Sequence, residues 1–285
     1  MLGSYIGNVS LLLFITIYSP LLQFTKNKVN SKQMEQLNQI NLPKVDSTNT
    51  FVRDMLESGE SLPGITLVTA YEQTAGRGQA GNTWESEAGK NLLFSLLCHP
   101  SFIVPSEQFV LSECMALAIQ QVLSRRIAKA GREDEVTIKW PNDIYVGDRK
   151  ICGTLIECDL MGKTVSNCII GTGINVNQTV FTSDAPNPVS LKQITGTDTD
   201  ASVLLTEVVD LFCEYYELVR SGKRAEVEAQ YMANLYRRTG LHRYCDVRGE
   251  FMAEIAGVEP TGHLVLRFDT GNTVRYEFKE VKFVI

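Results

Sequence analysis

Two cations stand beside glycines in a way that suits a bound anion. Arg77 lies inside GRGQAG (76–81), and Lys150 lies inside RKICG (149–153). Glycines let backbone amides approach an anion closely, and a guanidinium is a permanently charged fork for carboxylate or phosphate. Gly153 interrupts the apolar run KICGTLIEC (150–158), as glycine does where a ligand or another backbone comes close. A lysine beside such an opening can stabilise charge developing at a phosphoryl–carboxyl centre. Two further stretches join these. In KWPND (139–143), Pro141 fixes a turn and gathers Lys139, Asn142 and Asp143 at a strand end, where sites commonly form. In GTGIN (171–175), Gly173 and Asn175 suit a backbone turning tightly against a ligand. Taken singly, each has a plain alternative: a surface loop, a strand-end turn, an exposed lysine, a glycine turn.

GRGQAG matches the dinucleotide-binding pattern letter for letter. That pattern needs a strand feeding the first glycine and a helix opening at the last. Here YEQTA (71–75) intervenes, and NTWESEAGKN (82–91) carries no helical pattern. A phosphate-binding P-loop is absent too, because the position before Gly89-Lys90 that needs glycine is Trp84. A nucleotide must therefore be held by another route.

The elements that position these residues read as mixed α and β. Ser47-Thr48-Asn49 looks like a helix start with a side-chain oxygen free to cap backbone amides, and the helix is expected to stop near Gly59. ITLVTA (65–70) and NLLFSLLC (91–98) read as buried strands flanking the glycine-rich loop. Residues 106–130 carry helical periodicity. VTIKW (136–140), IYV (144–146), KICGTLIEC and VSNCIIGTG (165–173) read as successive strands. Residues 178–199 are polar and turn-rich, and helices are expected over 200–220 and 223–236. After Gly240 the texture changes to short strands at close spacing, with RG, EPTG and DTGN turns, the signature of a small β-barrel.

Bulk properties narrow the function classes. At 285 residues the chain can hold one large domain and one small one, and 44% apolar content suffices for a real core. A net charge of −6 argues against a surface built to grip nucleic acid. The seven cysteines are odd in number and never spaced C-x-x-C, so they read as reduced thiols of a cytosolic protein. The histidines are scattered, which leaves no structural zinc site. LLLFITIYSPLLQF (11–24) is long enough for part of a membrane span, and Lys26, Lys28 and Lys32 behind it favour a cytoplasmic location for the downstream domain. Two readings stand: an N-terminal anchor, or a working protein that starts at Met34, outside residues 1–33.

In order and spacing, DSTN (46–49), EQTAGRGQAG (72–81), Trp84, KWPND, RKICG and GTGIN resemble the biotin protein ligase catalytic domain over about Asp46 to Asn177. The barrel from Gly240 resembles that family's SH3-like domain. The resemblance implies an α+β fold: a mixed sheet flanked by helices over 42–237, and a small C-terminal SH3-like barrel over 240–285. It implies biotin contacts from Ser47, Thr48, Asn49, Gln73, Arg77, Gly78 and Lys150, with Gly153 on the pocket floor. Trp84, Asn142 and Asn175 match positions around the adenylate, and Lys139 and Asp143 lie near the reacting centre. ATP and biotin are the implied substrates. Magnesium enters with ATP rather than through a dedicated protein site.

The implied chemistry is attack of the biotin carboxylate on the α-phosphorus, then transfer to a lysine of a biotin carboxyl-carrier protein. Arg77 and Lys150 bring two anions together, and Asp143 orients or deprotonates the accepting amine. Gln79 and Ala80 stand where family loops often carry another basic residue, which implies weaker retention of the adenylate. A lipoate or octanoate transferase shares the architecture and is the near alternative. A biotin-responsive repressor is a distant one: the 45 residues before Asp46 are largely apolar, with no helix-turn-helix pattern. The family form expected is the one lacking a DNA-binding domain. A homodimer is left open.

Overall fold

A computed structural model describes residues 23–25, 37–62, 64–183 and 185–285. The stretch read as an anchor or an untranslated leader lies mostly outside the described residues. Among those described, no helix is long and apolar enough to cross a membrane.

The first sheet has eight strands. In chain order they are β1 (Gln23–Thr25), β2 (Leu37–Leu42), β3 (Ile65–Ala70), β4 (Leu92–Cys98), β5 (Val136–Lys139), β6 (Asp143–Val146), β7 (Arg149–Met161) and β8 (Thr164–Ile174). Their spatial order is β1-β2-β3-β4-β8-β7-β6-β5. Among the described residues only β2 and β3 pair in parallel; every other neighbouring strand pair is antiparallel, so the sheet is mixed. The parallel pair follows from its crossover, α1 (Thr48–Glu57), since parallel neighbours cannot be joined by a tight hairpin. β2 precedes the first element expected from sequence. Its LNQINL holds only three apolar residues, too few to stand out from a loop.

Helices cover both faces. α1 sits on one, closing a small cluster of Val52 with Ile40, Val68, Leu97 and Ile169. On the other lies α2 (Val110–Lys129), with α3 (Leu191–Thr195), α4 (Ala201–Arg220) and α5 (Arg224–Ala233). α2 is buried nearly all round, Met115, Leu117 and Ile119 completely, because it is sandwiched between the sheet and α4. Each such side chain contributes about 1.5–3 kcal/mol of burial. β4 is buried at all seven positions, which is why LLFSLLC reads as a continuous apolar run rather than an alternating one.

Three boundaries differ from expectation. The helix expected from 106 begins at Val110, after a short 3₁₀ turn at Pro105–Glu107. α5 ends at Ala233 instead of continuing to 236, because Asn234 O and Tyr236 N bond to Ile138 and extend the sheet beyond β5. The turn-rich stretch after 178 contains α3, held by a capping box between Ser190 and Gln193 and closed by left-handed Gly196.

The C-terminal sheet is antiparallel, in the order β12 (Thr273–Tyr276), β11 (Leu264–Phe268), β10 (Gly249–Val258), β9 (His242–Asp246) and β13 (Lys282–Phe283). It suits an SH3-like unit. Its apolar face shares one core with the first sheet. The seam is specific: Trp140 Nε1 donates to Gly262 O at 2.9 Å, and Phe109 packs on Gly262.

Candidate active site

All thirteen residues singled out from sequence line one cavity of about 660 Å³, within the ~300–1,000 Å³ usual for small-molecule sites. Four elements build it. The N-terminus of α1 supplies Ser47, Thr48 and Asn49. The glycine-rich loop supplies Gln73, Arg77, Gly78 and Trp84. The β5–β6 hairpin brings Lys139 opposite Asp143 as direct partners, with Asn142 at the turn. β7 and β8 supply Lys150, Gly153 and the floor, and Asn175 follows β8.

The glycine-rich loop is a small hairpin rather than a free coil. Trp84 N donates to Gly76 O at 2.9 Å and Gly78 N to Asn82 O at 2.7 Å, around a 3₁₀ turn at Gln79–Gly81. This return folds the Trp84 ring onto the floor. Gly153 and Gly173 are partners across β7 and β8, and a Cβ on either would meet the indole, at 3.0 and 2.4 Å respectively. Lys150 Nζ lies 5.8 Å from the centre of the same ring. Trp84 Nε1 is buried with no protein partner, as is Asn175 Oδ1. One donor and one acceptor in the wall are thus unsatisfied, an expensive state unless water or a ligand completes them.

The polar network at the α1 end differs from the expected cap. Ser47 precedes the helix without capping it. The first-turn amide of Thr48 is instead satisfied from outside by Gln73 Oε1 at 2.8 Å, which also accepts from Thr48 Oγ1 at 3.0 Å. Asn49 Nδ2 donates to Glu157 Oε2 at 2.8 Å, and Arg77 pairs with Glu157 Oε1 at 2.9 Å. Ser95 Oγ lies 2.6 Å from Asn49 Oδ1 and 2.7 Å from Thr48 Oγ1. Asn49 in turn fills the space over Gly171, where a Cβ would come within 2.0 Å of Oδ1.

Both expected cations are therefore matched to carboxylates, Arg77 to Glu157 and Lys150 to Asp143 at 2.7 Å. A guanidinium has five N–H donors and an ammonium three, so each keeps donors for a ligand. Lys139 is different. It lies 4.9 and 5.3 Å from the ring centres of Phe283 and Tyr145. Burial lowers its pKa from the ordinary lysine value, Asp143 opposes that shift, and Lys150 and Arg237 add to it. Asn142 Nδ2 donates to Thr154 O, which turns its side chain toward the sheet.

Sequence reading missed Glu157, Ser95, Gln73 as a helix partner, and the 181–188 rim. Glu157 and Ser95 each carried a signal, being the lone acidic residue in KICGTLIEC and the lone hydroxyl in LLFSLLC. The rim gave none. Phe181, Thr182, Ser183, Ala185 and Pro186 face the cavity, and Glu85 anchors the stretch, accepting from Thr182 N at 2.9 Å and Ser183 N at 2.7 Å. Burial pushes the Glu85 carboxyl upward, but the hydrogen bonds from Ser183 and Thr182 outweigh it and hold it at about 2.

The comparisons with known proteins converge on this region. The model of the biotin/lipoate A/B protein ligase family matches residues 42–175. The chain also aligns with the bifunctional ligase/repressor BirA of Salmonella typhimurium, 34% identical over 62% of this chain and 53% of that protein. The biotin--[acetyl-CoA-carboxylase] ligase of Paracoccus denitrificans is 29% identical over 82% of this chain and 95% of that one. The chain spans about half the length of the Salmonella relative. Among solved structures, biotin protein ligase from Aquifex aeolicus in complex with biotin and ATP has the same fold, with a TM-score of 0.69 at 24% identity, covering 86% of this chain and 99% of that one.

Proposed function

We propose that this chain is an ATP-dependent biotin protein ligase: it joins biotin to AMP, then transfers biotin to one lysine of a biotin carboxyl-carrier protein. The observation that carries the reading is the Trp84 indole laid over the Gly153–Gly173 floor, with Lys150 above it and Arg77 on the facing hairpin. This arrangement offers a flat apolar wall with cations at its edge, which suits a ligand with an apolar body and an anionic end. The family match supports it, as do a relative named for ligating biotin and a neighbour solved with biotin and ATP.

In the first step a carboxylate oxygen of biotin attacks the α-phosphorus of ATP. The new P–O bond forms as the bond to the β-phosphate breaks, and pyrophosphate leaves with the electron pair. Arg77 and Lys150 offset the repulsion between the two anions and stabilise the charge at the α-phosphate. Ser47, Thr48, Asn49, Gln73 and Gly78 bound the biotin end; Trp84, Asn142 and Asn175 bound the nucleotide end. Trp84 Nε1 and Asn175 Oδ1, the two unsatisfied wall atoms, are free to bond the adenylate. In the second step a neutral lysine amine attacks the acyl carbon, the C–O bond breaks, AMP leaves and the amine gives up a proton. Asp143, paired with Lys150 at 2.7 Å, orients that amine or takes its proton. Lys139 adds positive potential beneath the hairpin.

Magnesium would arrive on the nucleotide phosphates. Among the described residues no three His, Cys, Asp or Glu side chains gather to hold a metal ion; on the phosphates, magnesium would offset negative charge. A cytoplasmic location suits the unbonded thiols of all seven cysteines.

The test is to give the purified protein biotin, magnesium-ATP and a carboxyl-carrier domain, and to weigh the carrier by mass spectrometry. Biotin added to one lysine, with pyrophosphate released only when biotin is present, is the expected result. Transfer of lipoate instead, or biotin binding without ATP turnover, overturns the reading.

A further inference from the structure

Three thiols outside the lining of the active-site cavity run across three neighbouring strands. Cys158 on β7 and Cys168 on β8 are direct partners, and Cys98 on β4 is the partner of Cys168 on its other side. The Cys158 and Cys168 sulfurs lie 3.2 Å apart. Cys98 Sγ approaches the Cys168 carbonyl oxygen instead, at 3.9 Å.

The close pair is asymmetric. Cys168 is fully buried. Cys158 is half-buried and opens onto a second cavity of about 500 Å³, walled also by Trp140, His263 and Phe278. A reactive thiol needs both thiolate character and access, and Cys158 has access. The thiol–thiol hydrogen bond lowers its pKa against partial burial and Asp159, with help from Arg53; the same bond, a further one with Cys98 and complete burial push Cys168 well above its ordinary value.

We propose that Cys158 and Cys168 form a peroxide-responsive dithiol, oxidised by a small hydroperoxide entering the second cavity to a cross-strand disulfide between β7 and β8. The Cys158 thiolate attacks one peroxide oxygen. An S–O bond forms, the O–O bond breaks, and water or an alcohol leaves with the thiol proton. The Cys168 sulfur then attacks the sulfenic sulfur; the S–S bond forms, the S–O bond breaks, and hydroxide leaves with the Cys168 proton as water. Two thiols are oxidised and one peroxide is reduced. Directly opposed residues on antiparallel strands have Cα separations of ~4.5–5.5 Å, inside the range a disulfide spans. The sulfurs need to close by only about 1 Å to reach ~2.05 Å. The bridge would sit one residue from Glu157, the carboxylate that holds Arg77 and Asn49.

The experiment exposes the reduced protein to a low molar excess of hydrogen peroxide, alkylates it under denaturing conditions and digests it with trypsin. Two of the seven thiols should become unreactive, and a dithiothreitol-sensitive species should link peptides 151–163 and 164–192. Its fragment ions should place the bridge on Cys158, not on Cys152 of the same peptide. In Cys158→Ser, Cys168 should stay alkylatable after the same treatment. Unchanged thiols, a bridge through Cys98 or Cys152, arrest of Cys158 as a sulfinic acid, or peroxide loss of Cys168 in Cys158→Ser would each overturn the proposal.

Discussion

Gly173→Ala places a methyl group where the Trp84 ring already lies. The added carbon would stand 2.4 Å from Trp84 Cε2 and 2.5 Å from Nε1, against ordinary contacts of 3.4–4 Å. The ring must therefore move by about 1 Å, and an indole cannot bend to do it. Sliding along the floor offers no easy relief, because Gly153 beside Gly173 already carries the same ring. If the ring stays in place, the overpacking costs about 1–3 kcal/mol, a fall in Tm of roughly 2–4 °C per kcal/mol. If the ring swings into the cavity, the cost moves to the ligand, and 1–3 kcal/mol becomes roughly a five- to 150-fold rise in the KM for biotin or ATP. Pyrophosphate release at varied biotin and ATP, with a melting curve on the same sample, measures both. The two losses together should amount to at least ~1 kcal/mol. Wild-type KM values alongside a wild-type Tm would refute the stacking of Trp84 on the floor.

Three other perturbations probe the cations, the hairpin and the buried helix. Arg77→Ala and Lys150→Ala should each lower biotin-dependent pyrophosphate exchange at least ~tenfold, the loss of one charged contact at the reacting centre; near-normal exchange in both would sink the site assignment. Glu157→Ala should free Arg77 from its half-exposed ion pair, worth ~0.2–1 kcal/mol, and speed tryptic cleavage after Arg77 up to about fivefold; an unchanged cleavage rate would show that Glu157 does not hold the hairpin. Glu113 is buried on α2, and burial, reinforced by Glu228 and opposed by Arg224, raises its pKa from 4.5 to about 8. The unfolded chain ionises this group first, so its contribution to stability should fall as pH rises from 4.5 to about 8, by up to ~1.4 kcal/mol per pH unit. Glu113→Gln should flatten that decline in a series of thermal melts, and parallel curves for the two proteins would count against a neutral buried carboxyl.

The primary sequence carries the motif residues and most of the strands. Continuous apolar runs such as LLFSLLC and KICGTLIEC mark buried strands because those strands lie in the middle of a covered sheet. The glycines of RKICG and GTGIN mark close approach, since no other residue leaves room for an indole or an amide on a sheet face. Partners are less legible, because they depend on which strands become neighbours. Ser47 looks like a helix cap, yet it makes no cap bond, and the first amide of the helix, Thr48 N, is bonded by Gln73, twenty-five residues away. Glu157 reads as one acidic letter in an apolar strand until β7 is placed beneath α1 and the hairpin, where it joins Asn49 and Arg77. The 181–188 rim has no periodicity at all and is held by distant residues, Glu85 accepting from Thr182 N and Ser183 N at one end and Lys150 N donating to Asn187 O at the other. Local propensity and spacing act within a few residues and survive in the one-dimensional string. Ion pairs, the stacking of Trp84 and the meeting of Cys158 with Cys168 arise from packing between distant segments, and there the three-dimensional fold sets the outcome.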